Sequence, residues 1–222
     1  MANLYRSFGT TTFVGLSNPQ LGPETLIGGE MGLDFHIKTA KLALQLNGFY
    51  NRVKDFIAGV AVEFDPIFTT ENQNIGTIRS RGMELISTLG PFRDVSLSLG
   101  YTYTDAQVTE NRDDPTLEGN RVEGAPVHIV TFSTTYHRPR GLQLTLRGRY
   151  LSEQFQDTSN ETRLPGHVVI DASASYPVTR HLTVFLFANN LFDEDYVVDA
   201  FGGLGLRGAP RQIFGGVRVA LP

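Results

Sequence analysis

The sequence predicts an all-β fold: an antiparallel up-and-down transmembrane β-barrel, with about ten strands in this chain. Three observations carry the expectation. Apolar residues recur at every second position through most of the chain, the repeat of a strand with one apolar face. Segments marked in this way run to about 10–15 residues, against ~5–6 for a globular strand. The links between them alternate short and long, as in barrels with tight turns on one rim and long loops on the other.

Taken in order, strands are expected near 1–8, 25–37, 41–57, 77–89, 93–107, 125–137, 141–153, 166–177, 181–195 and 210–221. "DVSLSLGYTYT" sets Val95, Leu97, Leu99, Tyr101 and Tyr103 against Ser96, Ser98, Gly100, Thr102 and Thr104. "GLQLTLRGRY" does the same with Leu142, Leu144 and Leu146, and "HVVIDASASY" with Val168, Ile170, Ala172, Ala174 and Tyr176. "KLALQLNGFY" and "RQIFGGVRVAL" repeat the scheme less cleanly. The short links are "KTA", "GPFR", "RPRG" and "PVTRH"; the long polar ones are 9–24, 58–76, 108–124, 154–165 and 196–209. Tyr50, Tyr103, Tyr136, Tyr150 and Tyr176 fall near strand ends on the apolar face, where an interfacial girdle belongs. The apolar face then meets lipid, and Glu30, Asp34, Glu84, Arg147, Arg149, Asp171 and Arg218 face the interior. A soluble β-sandwich also alternates, and it stays open as the alternative.

Composition narrows the function. Formal charge is −4 with acids and bases mixed, so no basic footprint points to nucleic acid. Cysteine is absent, which removes disulfides, thiolate metal sites and Cys nucleophiles. "ANLYRSFGTTT" after Met1 has no basic segment leading into an apolar one, so no signal peptide is expected there. No apolar run approaches the ~20 residues of a spanning helix. "GLGLRG" (203–208) matches G-x-G-x-x-G, but Pro210 and a strand follow it where a helix is needed; a loop tip is expected. The five histidines lack metal-ligand spacing, and "ENRDDPTLEGNRVEG" (110–124) lacks the EF-hand pattern. No catalytic constellation, cofactor or metal site is expected, and the chain does not read as an enzyme.

"NNLFDEDYVV" (189–198), followed by "GAPRQIFGGVRVAL", resembles the C-terminal end of TonB-dependent outer-membrane receptors. Asn190, Leu191, Phe192, Asp193 and Tyr196 match the first segment of that pattern; Pro210, Arg211, Gly216, Val217 and Arg218 match the second. Asn and Asp suit a strand exit because their side chains bond nearby backbone, a structural part for this motif. "NLYRSF" with "NPQLGPET" (3–8 and 18–25), "LNGFYNRVKDFI" and "IRSRGMELI" also resemble segments of these receptors. The resemblance implies an outer-membrane location and uptake of a scarce solute such as an iron-siderophore or cobalamin. It implies as partners the bilayer, a small-molecule ligand such as a metal chelate, and TonB with its inner-membrane partners.

Receptors of that family have about 22 strands around a plugged lumen. Residues 1–222 are therefore expected to be the C-terminal part of the barrel, without plug or earlier strands. "GTTT" stands where the family has "RAPT", and no histidine lies between Phe8 and Asn18, which disfavours haem. The last residues, "ALP", lack the terminal aromatic usual in the family. A self-contained barrel of about ten strands, acting as a pore or surface hydrolase, is the alternative of a different class.

Overall fold

The computed structural model describes residues 7–9, 13–63, 67–139, 141–201 and 204–220. The positions expected at 1–6, and Arg140, Gly203 and Pro222, lie outside them. Its strands are β1 (Phe8–Gly9), β2 (Phe13–Leu16), β3 (Thr25–Ile37), β4 (Leu42–Glu63), β5 (Phe68–Phe92), β6 (Val95–Asn111), β7 (His128–His137) and β8 (Gln143–Leu151). After these come β9 (Gln154–Phe155), β10 (Arg163–Leu164), β11 (His167–Pro177), β12 (Leu182–Asn189), β13 (Val197–Phe201), β14 (Leu204–Arg207) and β15 (Gln212–Val219).

One sheet runs β3-β4-β5-β6-β7-β8-β11-β12-β15, each strand beside its successor. Backbone donors and acceptors are thereby paired between strands, the requirement that lipid imposes. The four short links are the 3-10 turn Lys38–Ala40 and the tight connections at 93–94, 138–142 and 178–181. At 93–94 both Arg93 (φ 44°) and Asp94 (φ 73°) are left-handed, the backbone that a two-residue hairpin of this hand needs. Among the described pairings β2 lies parallel to β5, Phe13 opposite Phe68.

Several links expected to be loops are ordered. The expected link 58–76 is mostly ladder, since β4 continues to Glu63 and β5 begins at Phe68. The 196–209 link carries a ladder, β13 against β14, so Leu204–Arg207 of the G-x-G-x-x-G stretch lie in a strand where a loop tip was expected. In the 154–165 link β9 pairs with β10. Beyond the bilayer these backbones pair for the reason that strands pair inside it: an unmet donor or acceptor is costly wherever side chains shield it. The strand expected at 181–195 ends at Asn189, because Asn190 turns left-handed at φ 49°.

The chain divides into two compact units: Met1–Gly29, Tyr50–Arg81 and Asp105–Val122 form one, and Glu30–Phe49, Gly82–Thr104 and Glu123–Pro222 the other. In the second unit the register sets whole rows of like residues across strands. Leu144 and Ala174 are partners, as are Leu146 and Ala172, and Ala172 faces Ala188. These apolar positions are open: Leu97 is 44%, Leu144 41% and Val217 64% exposed. Among the described residues no large side chain is fully buried. A sandwich would bury one face of each sheet; here the leucine face is the outside, as lipid demands. On that face the Phe132 ring covers Gly148, where an added Cβ would come within 2.0 Å of it.

In the first unit the 18–25 segment is pinned by side chains. Asn18 Nδ2 donates to Asn72 O at 2.9 Å, and Gly22 N to Asn74 Oδ1 at 2.7 Å. Asn74 Nδ2 returns a bond to Gly22 O, and Glu24 Oε1 accepts from Ile57 N. The "NPQLGPE" residues thus act as a fastening onto β4 and β5.

Candidate functional site

The polar face of β6, β7, β8 and β11 is built by the same alternation that exposes the leucines on the other face. Its register places Ser98 opposite Ser133, Ser133 opposite Arg147, and Arg147 opposite Asp171. Two residues along, Gly100 faces Thr131, Thr131 faces Arg149, and Arg149 faces Val169. Gly100 has no room for a side chain, since a Cβ would meet Thr131 Oγ1 at 2.6 Å. These rows, Gly100 excepted, line a cavity of about 560 Å³ together with Asn189, Asn190, Tyr196 and Pro210. Asp171 Oδ1 accepts a 2.9 Å hydrogen bond from Asn190 N. Among the described residues neither Arg147 nor Arg149 lies within ion-pair distance of a carboxylate. Guanidinium groups left in that state suit carboxylate, phosphate or other oxygen-rich anionic groups.

One wall of the cavity is the "NNLFDEDY" turn. Asn190 is 3% exposed. Its Nδ2 donates to Glu194 O (2.8 Å) and Ala209 O (3.1 Å), and its Oδ1 accepts from Glu194 N (2.8 Å). Leu191 N donates to Ile170 O at 2.7 Å. Asp193, also left-handed at φ 59°, accepts from Arg211 N at 2.8 Å and lies 3.8 Å from the Arg211 guanidinium. The Tyr196 ring stacks on His167 at 4.3 Å and leaves no room for a side chain at Gly208. Asn190, Leu191, Asp193, Tyr196, Pro210 and Arg211 therefore tie the exit of β12 to the entry of β15 and to β11. Phe192 is outside this arrangement, 73% exposed. Gly216 lies under the Phe185 ring, where a Cβ would meet Cζ at 2.7 Å.

Two groups escaped the sequence reading. Phe185, Phe187 and Phe214 form an aromatic cluster on the polar face, with ring centroids 5.5 and 5.3 Å apart. Phe187 lies opposite Ser173, on the side away from Leu186. The signal was present in "TVFLFA", where both faces are apolar and alternation fails. The second is the His167–Tyr196 stack, which joins residues 29 positions apart and has no local signature.

In the long links the carboxylates shape loops. Burial alone would raise the Asp157 carboxyl. Hydrogen bonds from the Ser159 hydroxyl, the Glu161 and Thr162 backbone and the Thr162 side chain outweigh it and hold it at about 2. Glu123 is pushed up, first by burial and then by the Asp157 charge. In the 110–124 link, Asp114 Oδ1 caps the turn Pro115–Leu117 by accepting from Thr116 N.

A protein-family profile described as "TonB dependent receptor-like, beta-barrel" matches residues 1–191. The chain is 34% identical over 147 residues to the ferrichrome outer membrane transporter/phage receptor of Escherichia coli, covering 62% of this chain and 19% of that protein. It is 26% identical over 221 residues to the metal-pseudopaline receptor CntO of Pseudomonas aeruginosa, covering 96% and 30%. Among solved structures, the siderophore receptor PiuA of Acinetobacter baumannii superposes with a TM-score of 0.73 at 22% identity, over 87% of this chain and 28% of that one. The chain thus spans less than a third of the length of these relatives.

Proposed function

The chain belongs to the TonB-dependent receptor β-barrel family, and from that premise we propose that it is barrel wall of an outer-membrane receptor that takes up a scarce solute with energy from TonB. Residues 1–222 are read as a C-terminal segment of that barrel, which the 19–30% share of the relatives' lengths supports. The observation that carries the reading is the family match over 1–191 on a chain whose leucine face is open and whose arginine face lines a cavity. The solute is a metal chelate, an iron-siderophore or a related complex such as cobalamin. Relatives named for ferrichrome and metal-pseudopaline support a chelate. Such ligands are oxygen-rich and often anionic, which suits the guanidinium groups of Arg147 and Arg149, to which no carboxylate among the described residues comes within ion-pair distance.

The test is uptake. Cells that depend on this receptor, supplied with labelled ferric chelates under iron limitation, should accumulate one of them only when both the receptor and TonB are present. Uptake equal with and without TonB would overturn the energised-transport reading. Uptake lost without TonB but unchanged on deletion of the receptor would assign the solute to another protein.

A further inference from the structure

The four short turns all belong to the second unit, and they carry one sign of charge. They hold Lys38, Lys41, Arg93, Arg138 and Arg180, all exposed, and one acid, Asp94. Among the described residues none of these five bases lies within ion-pair distance of a carboxylate. Lys41 is engaged otherwise: its Nζ donates to Pro91 O at 2.7 Å and lies 5.5 Å from the Phe92 ring centroid. Backbone bonds tie the turns to their neighbours, from Gly90 N to Lys41 O (2.9 Å) and from His137 N to Asp94 O (2.8 Å).

The ladders set two of these turns side by side. Gln143 of β8 is opposite Ser175 of β11, and Pro177 of β11 is opposite Thr183 of β12. The turn that holds Arg138 therefore neighbours the turn that holds Arg180, about 10 Å away across two strand spacings. The Arg138 stem folds over Gly141, where an added Cβ would lie 3.3 Å from its Cβ, Cγ and Cδ. Leu142 comes next, and with it begins an apolar dent of about 180 Å³ on the leucine face. Its walls include Leu142, Ala174, Tyr176, Val184 and Leu186. Ala174 opens it, a small residue between Leu144 on one side and Leu186 on the other. A pair of arginines thus stands at the end of an apolar seat.

The 9 residues of β8, at ~3.3 Å each and a tilt of ~40°, match roughly the ~25 Å apolar band of an outer-membrane barrel. The turns at the strand ends then stand at the head-group level, with the dent just inside the hydrocarbon. We propose that Arg138 and Arg180 bind the phosphate of an anionic phospholipid in the leaflet on the short-turn side, with an acyl chain in the Leu142–Leu186 dent. A soluble acidic segment could reach the turns. It could not fill the dent, which opens onto hydrocarbon, where its backbone groups would go unsatisfied. Charge beside an apolar seat selects a lipid, and the same-sign bases along the rim favour an anionic head group over a zwitterionic one. The site takes from the functional reading only that the leucine face meets lipid, and holds whichever solute the receptor carries.

The test uses the intact receptor purified from outer membranes in detergent, with lipid adducts read by native mass spectrometry. Phosphatidylglycerol should bind about tenfold more tightly than phosphatidylethanolamine with the same acyl chains. R138Q/R180Q should remove that preference by weakening phosphatidylglycerol alone. Ala174→Leu, which fills the dent without changing charge, should weaken both lipids alike. Arg207→Gln, in β14 among the long links, should change neither. Glycerol phosphate and a polyglutamate peptide should not compete. Equal binding of the two lipids, a preference kept in R138Q/R180Q, undiminished binding in Ala174→Leu, or loss in Arg207→Gln would each overturn the assignment. Competition by glycerol phosphate would make the turns a site for free phosphate, and competition by the peptide a site for an acidic polypeptide; either would overturn the lipid.

Discussion

Leu146→Arg places a charge on the lipid side of β8, near the middle of the strand, and Thr145→Arg places the same charge one residue away on the polar face. Leu146 is 39% exposed, roughly 70 Å² of leucine surface, whose transfer from lipid to water is about 2 kcal/mol at ~25 cal/mol/Å². An arginine at mid-bilayer adds about 2–4 kcal/mol, so Leu146→Arg should destabilise by about 4–6 kcal/mol. That is roughly three to four orders of magnitude in the folding equilibrium. Thr145 lies between Thr135 and Ser173 in the register, where a guanidinium reaches water, and its replacement should cost about 1 kcal/mol or less. The assay is reversible urea unfolding of the receptor in lipid vesicles, comparing midpoints at constant slope. Equal costs at 145 and 146 would refute the assignment of faces and restore the sandwich.

Cysteines placed at Asp114 or Thr158 should react with an impermeant reagent on intact cells, and one at Thr179 should not; labelling at Thr179 alone would invert the topology. Asn190→Ala removes three buried side-chain hydrogen bonds and keeps a left-handed backbone, so a loss of about 2–4 kcal/mol is expected. Hydrogen exchange of residues 194–211 should rise with it, and unchanged protection would show that the turn holds without Asn190. The folded Asp157 carboxyl, at about 2, lies below its unfolded value, so its contribution is full above about pH 4 and fades as pH falls through about 2. Protease cleavage within 154–165 should increase over that window in wild type and lose its pH dependence in Asp157→Asn. The described sheet has no strand paired beyond β15, and an edge left open in lipid keeps backbone groups unsatisfied. Residues 1–222 expressed alone should therefore aggregate; a compact, heat-modifiable monomer in detergent would contradict this.

Much was legible from residue order alone, because a strand's alternation is local. Leu142, Leu144 and Leu146 must share a face, and Arg147 and Arg149 the other, whatever the neighbouring strands are. Tight turns such as Arg93–Asp94 are equally local, and the long links showed themselves by polarity. The strand ends were less legible: β4 and β5 pair well past the apolar stretch, since backbone hydrogen bonds continue where side-chain hydrophobicity stops marking them. The "NLFD" segment could be seen as a strand exit from its Asn and Asp residues, but not what it grips. Asn190 reaches Ala209, Asp193 reaches Arg211, and Leu191 reaches Ile170, partners about 20 residues away. Arg79 and Arg81 meet at Asp105 in the same manner, and Phe187 meets Phe214. Which residues alternate is set within one strand by the geometry of the pleat. Which residues meet is set by register between strands, and register depends on every turn and ladder in between, so only the tertiary structure decides it.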